Sequence, residues 1–177
     1  SSFNPISPYA EGKLMVHKKI ETIKNEYGWL ISSGIMFNHE SEFRDTNYLF
    51  MKIIKSAIDI KYNKKSTLTI GSLDLVRDWS FAGDFADAIH LICLEGNGED
   101  FVIGSGVGHS ISELVRIVFE YFDLDPKEFI EIDSNNLRPG DPLKIVSDPV
   151  KIKEKLNWET KLGFEDLILR CISKGNF

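Results

Sequence analysis

Residues 101–110 read F-V-I-G-S-G-V-G-H-S: three apolar residues, three glycines at alternate positions, then a Ser able to cap a helix. A strand that enters a glycine turn and leaves as a helix is the unit of an α/β fold. The same turn raises the question of whether its glycines cradle a dinucleotide. That fingerprint needs G-x-G-x-x-G, the third glycine letting helix and strand pack closely beside the pyrophosphate. Here the third position is His109, and no acidic residue closes a next strand about 20 residues on. The turn is therefore read as structural, with Gly104, Gly106 and Gly108 there to bend the chain.

Working outward, Ser110 and Glu113 form a capping box for a helix with Leu114, Val115, Val118, Phe119 and Phe122 inside. Upstream, Phe85, Ala88, Ile89, Ile92 and Cys93 recur at helical spacing, and residues 66–70 alternate as a short strand. Thr46 is placed to cap a helix whose inner face is Phe50, Ile53, Ile54, Ala57 and Ile58. Residues 29–37 read as a buried strand. At the amino end Ser7 is an N-cap, Pro8 suits the first helical position and Gly28 is a stop; Val16, Ile20, Ile23 and Tyr27 mark the apolar face. Past the glycine turn we expect strands near 129–132 and 144–146, and a loop through Arg138-Pro139-Gly140-Asp141. Asp148-Pro149 opens a short helix, and Phe164, Leu167, Ile168 and Cys171 line a last one. Helices alternating with strands predict an α/β architecture with a largely parallel sheet.

Composition narrows the function. The 177 residues are 42% hydrophobic and 27% charged, a globular balance, with a net charge of −6. So acidic a chain is unsuited to neutralising phosphates along nucleic acid, and no nucleic-acid partner is expected. The apolar runs are too short to span a membrane, and no charged-then-apolar leader opens the sequence, so a cytoplasmic location is expected. Cys93 and Cys171 each fall on an apolar helix face and are expected buried and reduced. His17, His90 and His109 share no metal-ligand spacing, and no metal is expected. The chain opens Ser1-Ser2 without Met, as a piece of something longer would.

Near that opening, S-P-Y-A-E-G-K places Tyr9 and Lys13 four apart, on one face of a helix. An ammonium about 4 Å from a phenol contributes on the order of 4 kcal/mol at an effective dielectric of 20, roughly three pKa units. That brings a phenol near pKa 10 within reach of service as a base at neutral pH. The spacing alone leaves a catalytic pair and an ordinary helix start equally open, and Tyr48 and Lys52 repeat it.

The surrounding segments are more specific. S-P-Y-x-x-x-K, then F-N-H-E-S at 37–41, L-V-R-D-W at 75–79, and R-P-G-D followed by S-D-P-V-K-I-K-E-K-L-N-W occur in order. The chain resembles the extended short-chain dehydrogenase/reductases along essentially its whole length, and within them the GDP-mannose 4,6-dehydratases. The resemblance implies the C-terminal part of an extended Rossmann-type enzyme, without its N-terminal glycine-rich βαβ units. It implies a lyase with NADP, or NAD, as cofactor, acting on a nucleotide-diphosphate sugar such as GDP-mannose or a GDP-heptose, and a homo-oligomer. A piece lacking those units is expected to be inactive alone. A nucleotide-sugar epimerase or reductase of the same fold, or a non-catalytic nucleotide-sugar-binding module, stays open beside it.

Residue by residue, the resemblance assigns Tyr9 as the catalytic base and Lys13 as the residue that lowers its pKa and holds the nicotinamide ribose. It assigns His39 and Arg44 to the dinucleotide, and Asn38, Lys52, Arg77 and Arg138 to the nucleotide sugar. Each has a plainer reading: His39 as a core histidine, Lys52 as a solvated helix lysine, Arg77 as an ion pair with Asp78, Arg138 as a surface arginine. Two departures stand out. Glu42 and Phe43 precede a single Arg44 where the family has Pro and paired arginines, and Asp141 stands where a base-selecting Glu is usual. Residues 1–41 and 81–104 are expected to belong to the dinucleotide-binding sheet, and 42–80 and 105–177 to a sugar-nucleotide subdomain.

Overall fold

In the computed structural model, residues 3–137, 140–175 and 177 are described. Helix α1 (Pro8–Tyr27) starts at Ser7, whose Oγ accepts the Ala10 N–H at 3.2 Å, and stops at Gly28, left-handed with φ 67°. Two short strands follow, β1 (Gly34–Met36) and β2 (Asn38–Glu40), then α2 (Leu49–Lys61). Strands β3 (Leu68–Ile70), β4 (Val76–Arg77) and β5 (Trp79–Phe81) lead into α3 (Ala82–Glu95). Residues 101–121 form β6 (Phe101–Ile103), the glycine turn, β7 (His109–Ser110) and α4 (Ile111–Tyr121). The chain ends with α5 (Pro126–Phe129), β8 (Ile130–Ile132), β9 (Lys144–Ile145), α6 (Val150–Leu156) and α7 (Phe164–Lys174).

The strands pair in short parallel ladders, β1 with β6, β2 with β5 and β3 with β8. A mixed sheet β7-β4-β9 contains an antiparallel pair, β4 with β7. Two apolar cores result. The larger joins Phe50, Ile53 and Ile54 of α2 to Leu114 and Val118 of α4 and Leu167, Ile168 and Cys171 of α7. The smaller packs Phe85, Ala88 and Ile92 of α3 against Phe101 and Ile103 of β6 and Ile152, Leu156 and Trp158 beyond α6. Among the described residues, no helix is long and apolar enough to cross a membrane.

Several sequence expectations are corrected. Residues 29–37 are not one buried strand: only Gly34–Met36 is extended, and all three of its residues are exposed. Helix α1 buries no residue, and Val16 and Tyr27, read as its inner face, are each 59% exposed. The cap of α2 is Tyr48, without a side-chain hydrogen bond, rather than Thr46. On α3, Ile89 and Cys93 point outward; Cys171 is buried as expected, and both thiols are free. Ser110 does cap α4 by accepting the Glu113 N–H at 3.0 Å, but the Glu113 carboxylate meets His109 at 3.1 Å instead of closing the box.

Candidate active site

A cavity of about 1110 Å³ opens where the carboxyl ends of β2 and β3 meet α2 and the β4–β5 segment. Ligands of parallel α/β sheets characteristically enter at strand carboxyl ends. Tyr9 of α1 stands at this cavity together with Asn38, Arg44, Lys52 and Arg77. Five residues from five segments of the sequence thus share one space. Tyr9 is 75% exposed, and the Lys13 Nζ lies 5.4 Å from its ring centroid, as the one-turn offset requires.

Strand alternation sorts the 38–40 segment. Asn38 and Glu40 face the cavity; His39, between them, turns to the other side. The His39 ring packs on Phe85 with centroids 4.8 Å apart, and its Nδ1 lies 2.9 Å from the Phe37 carbonyl oxygen. His39 is thus not brought to the cavity, whereas Arg44, assigned with it to the dinucleotide, is. Lys52 reaches across to donate to the Thr69 carbonyl oxygen at 3.3 Å. Arg138 lies outside the described residues.

Arg77 is 8% exposed, and its guanidinium is oriented by three acceptors. Nη1 donates to the carbonyl oxygens of Val76 and Pro142 at 2.8 and 3.0 Å, and Nη2 donates to Asp141 at 2.7 Å. Its ion-pair partner is therefore Asp141, not the adjacent Asp78. Asp78 is fully buried and takes its hydrogen bonds elsewhere. It accepts from the N–H groups of Ser105, Gly106 and Ser147 at 3.1, 3.0 and 3.2 Å, and from the hydroxyls of Ser105 and Ser147. Burial pushes the Asp78 carboxyl up, but these donors outweigh it and hold the group below the usual carboxylate range. The glycine turn thus does aim amides at an anion, and that anion is an internal carboxylate. Its amides at Ser105 and Gly106 are not free for a diphosphate.

Two further acids, Glu40 and Glu42, lie on the segment that follows Asn38. Glu42 is 6% exposed and is gripped by Arg170 of α7, whose Nε and Nη2 reach its two oxygens at 2.9 and 2.5 Å. That contact holds Glu42 below the usual range. Glu40, 4% exposed, has no such grip, and burial pushes its carboxyl up to about 7 against the pull of Arg44. Sequence reasoning missed Glu40 and Tyr48, which also lines the cavity. The signal for Glu40 was available: an acid two residues from Asn38 shares its face of the strand.

The profile of a family described as GDP-mannose 4,6 dehydratase matches residues 1–171. GDP-mannose 4,6 dehydratase 2 of Arabidopsis thaliana is 36% identical over 172 residues, which cover 97% of this chain and 46% of that protein. The human GDP-mannose 4,6 dehydratase is 31% identical, with 96% of this chain and 50% of that protein covered. Among solved structures, a dTDP-glucose 4,6-dehydratase of Bacillus anthracis in complex with NAD superposes with a TM-score of 0.85 at 21% identity, over 96% of this chain and 52% of that one. The chain spans about half the length of the curated relatives it matches.

Proposed function

This chain belongs to the GDP-mannose 4,6 dehydratase family, and from that premise we propose that it carries the sugar-nucleotide pocket and the Tyr-Lys pair of a longer nucleotide-sugar 4,6-dehydratase. The observation that supports this most is the single cavity shared by Tyr9, Asn38, Lys52 and Arg77. A phenol that must take a proton from a sugar 4-hydroxyl has to border the same cavity that holds the nucleotide sugar.

The roles are those the family resemblance suggests, and the shared cavity is compatible with them. Lys52 and Arg77 supply positive charge to the diphosphate, Arg77 from an orientation already set by Asp141 and two carbonyls. Asn38 supplies a neutral donor and acceptor to the sugar. Tyr9 takes the proton of the sugar 4-hydroxyl, and Lys13 stands one turn away with its Nζ 5.4 Å from the Tyr9 ring centroid. NADP or NAD, when bound, would supply a hydride acceptor for the same carbon. The residues that fit its ribose are Tyr9 and Lys13, on an open helix face. A diphosphate cradle is not offered by the glycine turn, whose amides Asp78 holds. That part of the cofactor is assigned to the portion of the relatives' length which this chain does not span. The exposed apolar residues Met15, Val16, Ile35 and Met36 on α1 and β1 suit contact with that portion. We assign 1–41 and 81–104 to the cofactor-binding sheet and the remainder mainly to the sugar nucleotide, in a cytoplasmic homo-oligomer.

The test is calorimetric titration of the chain with GDP-mannose, GDP and guanosine. Saturable binding of the first two, weakened by Lys52→Ala about ten- to hundredfold, supports the reading. Binding of guanosine as tight as that of GDP contradicts it.

A further inference from the structure

Glu40 is the best-buried carboxylate at the cavity, and its Oε2 is shielded from solvent and takes no hydrogen bond from the described residues. The Arg44 Nε lies 3.2 Å from that oxygen, also shielded and also without a hydrogen bond, because the two are off line. On its other side the Arg44 guanidinium lies over the Tyr48 ring, 3.7 Å from the centroid. All three side chains line the same cavity. A buried carboxylate lacking a donor is costly and calls for an explanation.

The neighbouring charges do not supply one. Glu42, two residues on, is occupied by Arg170. Arg170 itself lies over Phe81, the residue in register with Glu40 on β5. Burial, and after it the charges of both acids, pushes the Cys171 thiol of α7 up to about 12, and it stays protonated. On α3, Asp84 accepts the N–H groups of Lys161 and Leu162. Among the described residues, Arg44 is the one cation in ion-pair range of Glu40.

We propose that Glu40 is a positioning residue for Arg44: its carboxylate on one side and the Tyr48 ring on the other hold the guanidinium at the cavity wall, with its two terminal amino groups presented to a ligand diphosphate. This rests on the reading of the cavity as a nucleotide-diphosphate site. An arginine whose Nε edge faces a carboxylate keeps both terminal NH2 groups for bidentate contact with phosphate, and one positioned in advance loses less freedom on binding. The diphosphate belongs to the nucleotide sugar or to the dinucleotide, and the experiment separates the two.

The complete enzyme that contains this chain is titrated with GDP-mannose and, separately, with NADP, as wild type, Glu40→Gln, Arg44→Ala and the double variant. Glu40→Gln keeps the shape and removes the charge, so it is expected to fold. It should weaken one or both ligands about three- to thirtyfold, and the double variant should bind no more weakly than Arg44→Ala alone. A loss confined to NADP assigns Arg44 to the dinucleotide; a loss confined to GDP-mannose assigns it to the sugar nucleotide. Wild-type affinity for both ligands in Glu40→Gln, with Arg44→Ala impaired, overturns the proposal and leaves the cavity reading intact. A Glu40→Gln loss that persists in the Arg44→Ala background overturns it too, because Glu40 then acts by another route. Failure of both ligands to bind the wild type overturns the cavity reading and the proposal with it.

Discussion

Asp78 holds Ser147 twice, accepting both its backbone N–H and its hydroxyl, although 69 residues separate them in sequence. The same carboxylate holds Ser105 and Gly106 of the glycine turn. One acid therefore ties the β4–β5 segment, the glycine turn and the segment after β9 together behind the cavity wall that carries Arg77. Asp78→Asn places an amide nitrogen against these donors and should destabilise the chain by about 2–4 kcal/mol, whereas Ser105→Ala should cost only about 1 kcal/mol. Urea unfolding at pH 7 measures both. Because the folded Asp78 value is lowered, its contribution is present above the unfolded carboxylate value and is lost as pH falls through the folded one.

Glu40 has the opposite sign. Its folded value, about 7, exceeds the ordinary 4.5, so its stabilising contribution is full below 4.5 and is lost as pH rises through 7. Relative to wild type, Glu40→Gln should gain about 2–3 kcal/mol between pH 5 and pH 8. Thermal unfolding across that interval reads the difference. A constant offset between the two proteins contradicts the burial argument.

The glycines separate into two kinds. A Cβ at Gly104 would stand 2.3 Å from the Ser147 Oγ and 2.8 Å from the Asp78 Oδ2, whereas a Cβ at Gly12 on α1 meets nothing within 4 Å. Gly104→Ala should therefore lower stability by at least about 2 kcal/mol, by breaking the Asp78 contacts. Gly12→Ala should raise it by about 0.5–1 kcal/mol through helix propensity. Equal shifts in midpoint for the two variants contradict this.

The caps at Ser7 and Ser110 and the inner faces of α2, α4 and α7 were legible because each is a local pattern with a local cause. The same period misled at Val16, Tyr27, Ile89 and Cys93. Apolar spacing shows that a face suits burial, not that a described residue covers it, and β1 pairs with β6 alone among the described residues. At the site, the resemblance of the segments marked Tyr9, Asn38, Lys52 and Arg77, which do meet at one cavity. It could not show that Arg77 pairs with Asp141 rather than Asp78, nor that Glu40 lacks a donor. Those depend on contacts between segments far apart in sequence, which no local pattern encodes.

We propose Tyr9 as the proton acceptor of a dehydratase whose sugar nucleotide lies in this cavity. The most direct measurement is formation of the 4-keto-6-deoxy product from GDP-mannose with NADP, using the complete enzyme that contains this chain. Tyr9→Phe should lower turnover by roughly a hundred- to ten-thousandfold while GDP-mannose affinity changes little. Tyr121→Phe, at an exposed position on α4, should match the wild type. Wild-type turnover in Tyr9→Phe contradicts the account.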